Sequence, residues 1–175
     1  MADGAVPAPG FTTIVVQSRE LDEVWPERES ILLEAEPIVA NEYIEIFEGP
    51  SDFIYYRGVR VTQPARPTRL RYNILGKIKL TEDRTAANWY EVELAIERGL
   101  GALTDRRLLR QALTCGEHYA EHHMDVVRYG NPGATFRELA RELTLGSATV
   151  NGVNPSAARH AREMMMRDVQ EGQDA

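Results

Sequence analysis

The hydrophobic period of this chain changes once, near Thr85, and that change limits the folds open to it. Before Thr85, apolar residues alternate with polar ones in short β-branched and aromatic runs. After it, they recur every three or four residues. A period of about 2 belongs to a strand with one buried face, and a period of about 3.6 to a helix with an apolar stripe. Strands collected ahead of helices predict an α+β fold rather than a doubly wound sheet.

Phe11 to Gln17 predicts a first strand. Glu20 to Leu33 has helical character, capped by Ser18 and kinked or restarted at Pro26. Glu34 to Asn41 reads as a connection, Tyr43 to Phe47 as a second strand, and Glu48 to Asp52 as a turn. Phe53 to Thr62 and Arg69 to Leu80 predict strands three and four, and the short link Gln63 to Thr68 predicts that they form a hairpin. In the fourth, Tyr72, Ile74, Ile78 and Leu80 alternate with Arg71, Asn73, Lys77 and Lys79, which gives one buried and one wet face. Leu75 breaks the alternation, and Gly76 marks a bulge.

Beyond Thr85, Trp89, Val92, Ile96, Leu100 and Leu103 form one helical stripe. Asp105 starts a helix over Arg106 to Leu113, and Glu117 to Arg128 predicts another. Gly130 to Gly133 is a break, after which Phe136, Leu139, Ala140 and Leu143 repeat at helical spacing. Asn154 and Pro155 read as N-cap and first helical residue of a last helix, with Ala157, Ala161, Met164, Met165 and Val169 on its apolar side. The expected order is β-α-β-β-β, a four-stranded mixed or antiparallel sheet, followed by a C-terminal group of four helices. Residues 1–10 read as a flexible tail, 11–130 as an α+β unit and 131–175 as a helical extension. An exposed last helix would be a homo-oligomer contact.

At 175 residues the chain is long enough for one domain with a real core. The Ala-, Pro- and Gly-rich start lacks the charged and apolar regions of a signal peptide. No apolar run reaches the length of a membrane helix. The single cysteine, Cys115, excludes an internal disulfide and fits a reducing cytoplasm. The net charge of −7 argues against a general nucleic-acid coat protein, but the charge is segregated. Residues 1–63 carry four basic and twelve acidic side chains, whereas residues 64–84 carry six basic and two acidic. Arg57, Arg60, Arg66, Arg69, Arg71, Lys77 and Lys79 follow one another with no acid among them.

The sequence Leu80-Thr-Glu-Asp-Arg84-Thr stands where strand gives way to helix. Thr81 predicts an N-cap, and Glu82 and Asp83 suit the positive end of a helix. Arg84 then falls in the first turn, where the helix dipole disfavours a cation, a conflict worth a few tenths of a kcal/mol. Such conflicts are sometimes kept for function. Arg84 also reads as a cation paired with Glu82, Asp83 or another acid.

Ile54-Tyr-Tyr-Arg-Gly-Val-Arg-Val61, Arg71-Tyr-Asn-Ile74 and Ile78-Lys-Leu-Thr-Glu-Asp-Arg-Thr85 together resemble the second domain of GHKL-type ATPases. The likeness is nearest to phage and bacterial proteins with a chaperone-like ATPase domain, including phage rapid-lysis A-type proteins. It spans roughly residues 11–130. It implies a ribosomal-S5-like α+β layer, a transducer role, and the host cytoplasm for a phage-encoded chain. It also implies a basic side chain offered to the γ-phosphate of ATP held by another domain, with Arg84 as the contact and Lys77 and Lys79 next in order. That is an arginine-finger role, in which a cation stabilises developing phosphoryl charge. The Asn-bearing helix, the Asp-x-Gly-x-Gly segment and the glycine-rich lid of the ATP-binding domain are absent, as is a Walker A sequence. The expectation is therefore no cofactor in this chain, with ATP and Mg supplied through an ATP-binding partner protein or domain.

Two other readings stay open. His118-Tyr-Ala-Glu121-His122 follows the H-x-x-E-H order of a zinc hydrolase. On a helix the two histidines share a face and Glu121 would activate a zinc-bound water. Glu138, Glu142, Glu163 and Glu171 are third ligands by type. The same residues also read as a polar, solvated helix face. The basic hairpin residues Arg66, Arg69, Arg71, Lys77 and Lys79, with Arg57 and Arg60, are interleaved with Tyr55, Tyr56 and Tyr72. Charge for phosphates and rings for bases is the composition of a nucleic-acid surface. The same charges would also discourage edge-to-edge strand pairing.

Overall fold

Five short strands, rather than four, build one mixed sheet among the described residues. The computed structural model describes residues 31–33, 35–145 and 153–173. The expected first strand, most of the first helix and the N-terminal tail lie outside the described residues. The strands are β1 (Val39–Ala40), β2 (Ile44–Phe47), β3 (Ile54–Tyr56), β4 (Val59–Thr62) and β5 (Arg71–Ile74). Their order across the sheet is β1-β2-β5-β3-β4. β2 runs antiparallel to β5, with Ile44 opposite Ile74 and Ile46 opposite Tyr72. β3 runs parallel to β5, with Tyr55 opposite Asn73.

The expected third strand is two strands. Arg57 and Gly58 both have positive φ, 51° and 86°, and make a two-residue hairpin turn between β3 and β4. A turn with two left-handed residues matches the twist of the strands it joins. The Asn73 side chain accepts the Gly58 N–H at 2.8 Å and donates to Glu45 at 2.6 Å. Asn73 is therefore buried, not on a wet face as its place in the alternation predicts.

The expected hairpin between strands three and four does not form. β5 instead takes the centre of the sheet, between β2 and β3. Leu70, Tyr72 and Ile74 are fully buried, and a strand this apolar is best satisfied with neighbours on both edges. β5 ends at Ile74, so Gly76 lies in the loop beyond the strand and is not a bulge within it.

The helices are α1 (Trp89–Gly101), α2 (Arg106–Leu113), α3 (Val126–Tyr129), α4 (Ala134–Leu145) and α5 (Pro155–Gln173), with a 3-10 turn over Ala120–His123. The stripe of α1 packs as its spacing predicts: Val92, Ile96, Leu100 and Leu103 are buried and Trp89 leans on the core. The Asp105 side chain caps α2 by accepting the Leu108 N–H, and Asn154 caps α5 by accepting the Ala157 N–H. One hydrophobic cluster runs from Ile44 in the sheet to Ala161 in α5, so the expected helical extension shares it.

Two glycines let α1 sit close. A side chain at Gly99 would overlap Ile44 of β2, and one at Gly101 would overlap the Gly130 backbone after α3. Among the described residues, no helix is long and apolar enough to cross a membrane.

Candidate functional site: a presented arginine and a cleft of mixed charge

The segment expected to start a helix is a tight turn. Leu80 bridges Ala86 in antiparallel fashion, and between them the Thr81 N–H donates to the Thr85 carbonyl and the Arg84 N–H to the Thr81 carbonyl. Arg84 takes the left-handed conformation, φ 61°. The pattern is a type I turn closed by a left-handed residue, a position that glycine normally fills. The helix begins later, with Asn88 as its cap accepting the Tyr90 N–H at 3.0 Å. Thr81 is therefore not an N-cap. Nor does Arg84 lie in a first helical turn, because the chain must first reverse at residues 81–85.

Short polar side chains hold the turn. The Thr81 hydroxyl donates to Asp83 and accepts the Thr85 N–H at 3.1 Å, and the Thr85 hydroxyl donates to Asp83 at 3.2 Å. These bonds lower the Asp83 carboxyl below its ordinary range, the Thr81 hydroxyl first among them. Asp83 is thus satisfied by hydroxyls. Arg84 is exposed and forms no ion pair with a described residue.

Behind the base of this turn, the Lys79 carbonyl accepts the Ala87 N–H and the Lys79 N–H donates to the Glu91 carboxylate at 2.7 Å. Glu91 lines a cleft of about 290 Å³ between α1 and the loops that flank β2 and β5. Leu94, Ala95 and Arg98 follow Glu91 along the same face of α1, and Tyr43, Gly76 and Lys77 close the other side. The two loops meet because Leu75 and Gly76 both donate their N–H to the Tyr43 carbonyl.

The remaining basic residues differ in their surroundings. Arg57 lies over the Tyr56 ring and Arg60 over Phe53, at 5.2 and 4.6 Å from the ring centroids. Arg66 is exposed, and Arg69 and Arg71 are half-buried. Tyr55 and Tyr72 are buried, so neither ring offers a stacking surface for a base.

The histidine motif does not form the expected helix. Glu117 to Tyr119 is turn and bend, Ala120–His123 is a 3-10 turn, and α-helix resumes only at Val126. His118 is outside the 3-10 turn, exposed, with its ring against Tyr119. The expected i, i+4 histidine face is lost with the α-helix. Glu121 is buried at 1% exposure rather than solvated, and accepts the N–H groups of Arg69 and Leu70 and the hydroxyl of Tyr72. Burial pushes its carboxyl above the ordinary range, and the Arg69 N–H leads the bonds that pull it back. Tyr72 is pushed up in turn, by burial and then by the Glu121 charge. His122 Nδ1 lies 3.2 Å from the Cys115 carbonyl. Among the described residues no three His, Cys, Asp or Glu side chains converge on a metal position. Burial pushes the Cys115 thiol up to about 12, which disfavours its thiolate form.

Sequence reasoning missed Arg98, Tyr43 and Glu91. The i, i+3, i+4, i+7 spacing of Glu91, Leu94, Ala95 and Arg98 on α1 was the available signal, but nothing local reveals which loops face it. No protein-family model, curated protein or solved structure matches the chain.

Proposed function

We propose that this chain is a non-catalytic transducer or interaction domain, which offers Arg84 to the nucleotide of an ATP-binding partner. The observation that carries the reading is the conformation of Arg84. It holds a left-handed φ of 61° at an exposed tip, with no ion-pair partner among the described residues. A left-handed L-residue costs roughly 1 kcal/mol against glycine, and such strain clusters at contact sites. The Thr81, Asp83 and Thr85 hydrogen bonds pre-order the tip, so less freedom is lost when it meets an anion. A cation that arrives on a rigid turn suits the loose, anionic transition state of phosphoryl transfer. Lys77 and Lys79 lie on the segment that leads from β5 to that turn.

The test adds this chain to a purified GHKL-type ATP-binding protein and measures ATP turnover. The expected result is stimulation that Arg84→Ala removes and Arg84→Lys restores in part. Absence of stimulation, or an Arg84→Ala chain as effective as the original, overturns the reading.

A second reading, nucleic-acid binding, is favoured by the two exposed arginines, Arg57 and Arg60, stacked on rings of the β3–β4 hairpin. It requires an affinity for single-stranded DNA or RNA that falls steeply with salt and weakens when both arginines are replaced by glutamine. Binding that is absent at low salt excludes it.

A further inference from the structure

We infer that Thr81 and Thr85 are positioning residues, whose hydroxyls hold the Asp83 carboxylate and so leave Arg84 open to an anionic partner. What Arg84 meets rests on the transducer reading; the geometry of the turn does not. Arg84 stands directly after Asp83 and two residues after Glu82, so an ion pair within the turn is the expected fate of its charge. None forms with a described residue. Instead, both hydroxyls converge on one oxygen. Asp83 Oδ1 accepts the Thr81 hydroxyl, and the Thr85 hydroxyl at 3.2 Å. The two threonine hydroxyl oxygens are 2.8 Å apart, and Thr81 Oγ1 also accepts the Thr85 N–H at 3.1 Å. The carboxylate is thus held between the two residues that open and close the turn.

Magnitudes favour the hydroxyls over Arg84. Hydrogen bonds to a charged acceptor are roughly twice as strong as neutral ones. An exposed ion pair gains little, because water and salt screen it. Thr81, Asp83 and Thr85 are short and give up little rotamer freedom when they lock, whereas a pair with Arg84 would immobilise a long side chain. The same reversal, closed by the Thr81 N–H on the Thr85 carbonyl, sets Arg84 in its left-handed conformation. The turn therefore fixes where Arg84 leaves the backbone and withholds the nearest acid from it.

The experiment follows the Arg84 Nε–H signal of the full chain by NMR and measures its exchange with water. Thr81→Val combined with Thr85→Val removes both hydroxyls at nearly constant volume. Asp83 is then expected to capture Arg84 and slow that exchange about threefold, the size of an exposed ion pair. About 0.5 M salt is expected to restore the original rate. Adding Asp83→Asn to the valine pair is expected to do the same at low salt, and Thr81→Ser with Thr85→Ser to change nothing. In the ATP-turnover assay, the valine pair is expected to lower stimulation about threefold and the added Asp83→Asn to recover it. Exchange that the valine pair leaves unaltered overturns the inference, as does slowed exchange that Asp83→Asn does not relieve. If exchange behaves as expected while the original chain stimulates no turnover, the hydroxyls hold Asp83 as inferred and the transducer reading fails.

Discussion

Tyr72 donates its phenolic hydrogen to Glu121 Oε1 over 2.8 Å, joining the central strand to the 3-10 turn 49 residues later. The same carboxylate accepts the N–H groups of Arg69 and Leu70, which precede β5 and have no strand partner there. One buried acid thus closes the gap between sheet and helices.

Glu121→Ala strands two backbone N–H groups and a buried hydroxyl, and is expected to cost about 3 kcal/mol. Tyr72→Phe removes a single donor and is expected to cost about 1 to 2 kcal/mol. Urea unfolding checks the order. A Glu121→Ala loss no larger than that of Tyr72→Phe would show that the carboxylate does not tie the two segments.

Asn154 is fully buried and does two jobs. Its Oδ1 caps α5, while its Nδ2 donates to the carbonyls of Glu121, His122 and Met124 at 2.7, 3.1 and 3.0 Å. Aspartate keeps the cap but turns an acceptor toward three carbonyls. Asn154→Asp is expected to lose about 2 to 3 kcal/mol despite aspartate being a good N-cap. A thermal melt within a degree of the original would show that capping alone matters here.

Glu97 on α1 is buried and accepts the Asp125 N–H at 2.8 Å. Burial pushes its carboxyl up to about 7, with the charges of Glu93 and Asp125 adding to the shift. An acid whose folded pKa lies above its unfolded one holds its proton more tightly when folded. Its stabilising term is complete below the unfolded value of about 4.5 and is lost as pH rises to about 7. Glu97→Gln is expected to flatten the fall of melting temperature between those two pH values. Identical slopes in variant and original would place the titration elsewhere.

Arg84→Gly removes the side-chain penalty of a left-handed residue and is expected to raise stability by about 0.5 to 1 kcal/mol. Arg84→Ala keeps the β-carbon and is expected to give no such gain. Calorimetry on the two variants distinguishes relief of backbone strain from loss of an unseen contact. Under the proposed function, the more stable glycine variant is also the inactive one.

Much of the helical half was legible in the sequence, because the information there is local. The stripe from Trp89 to Leu103, the Asp105 cap and the Asn154-Pro155 start each depend on residues within a few positions of one another. The sheet was less legible. The Arg57-Gly58 turn carries a local signal that a continuous strand pattern concealed, and β5 found its neighbours through pairings that no short window contains. The H-x-x-E-H spacing pointed to a helical face, but Glu121 serves the backbone of residues 69 and 70 instead.

By itself, then, the sequence determined the α+β class, the helical stripes and the placing of unbalanced positive charge before Thr85. Those properties follow from periodicity and composition, which each segment carries alone. Tertiary structure decided what the charge can do. It turned Leu80-Thr-Glu-Asp-Arg84 from a helix start into a clamped reversal, because Thr81, Asp83 and Thr85 satisfy one another there. It also brought Lys77 and Arg98 to one cleft, since β2 and β5 pair across the sheet and α1 packs over their ends. Contacts between residues distant in sequence depend on packing and loop closure, and these exist only in the folded chain.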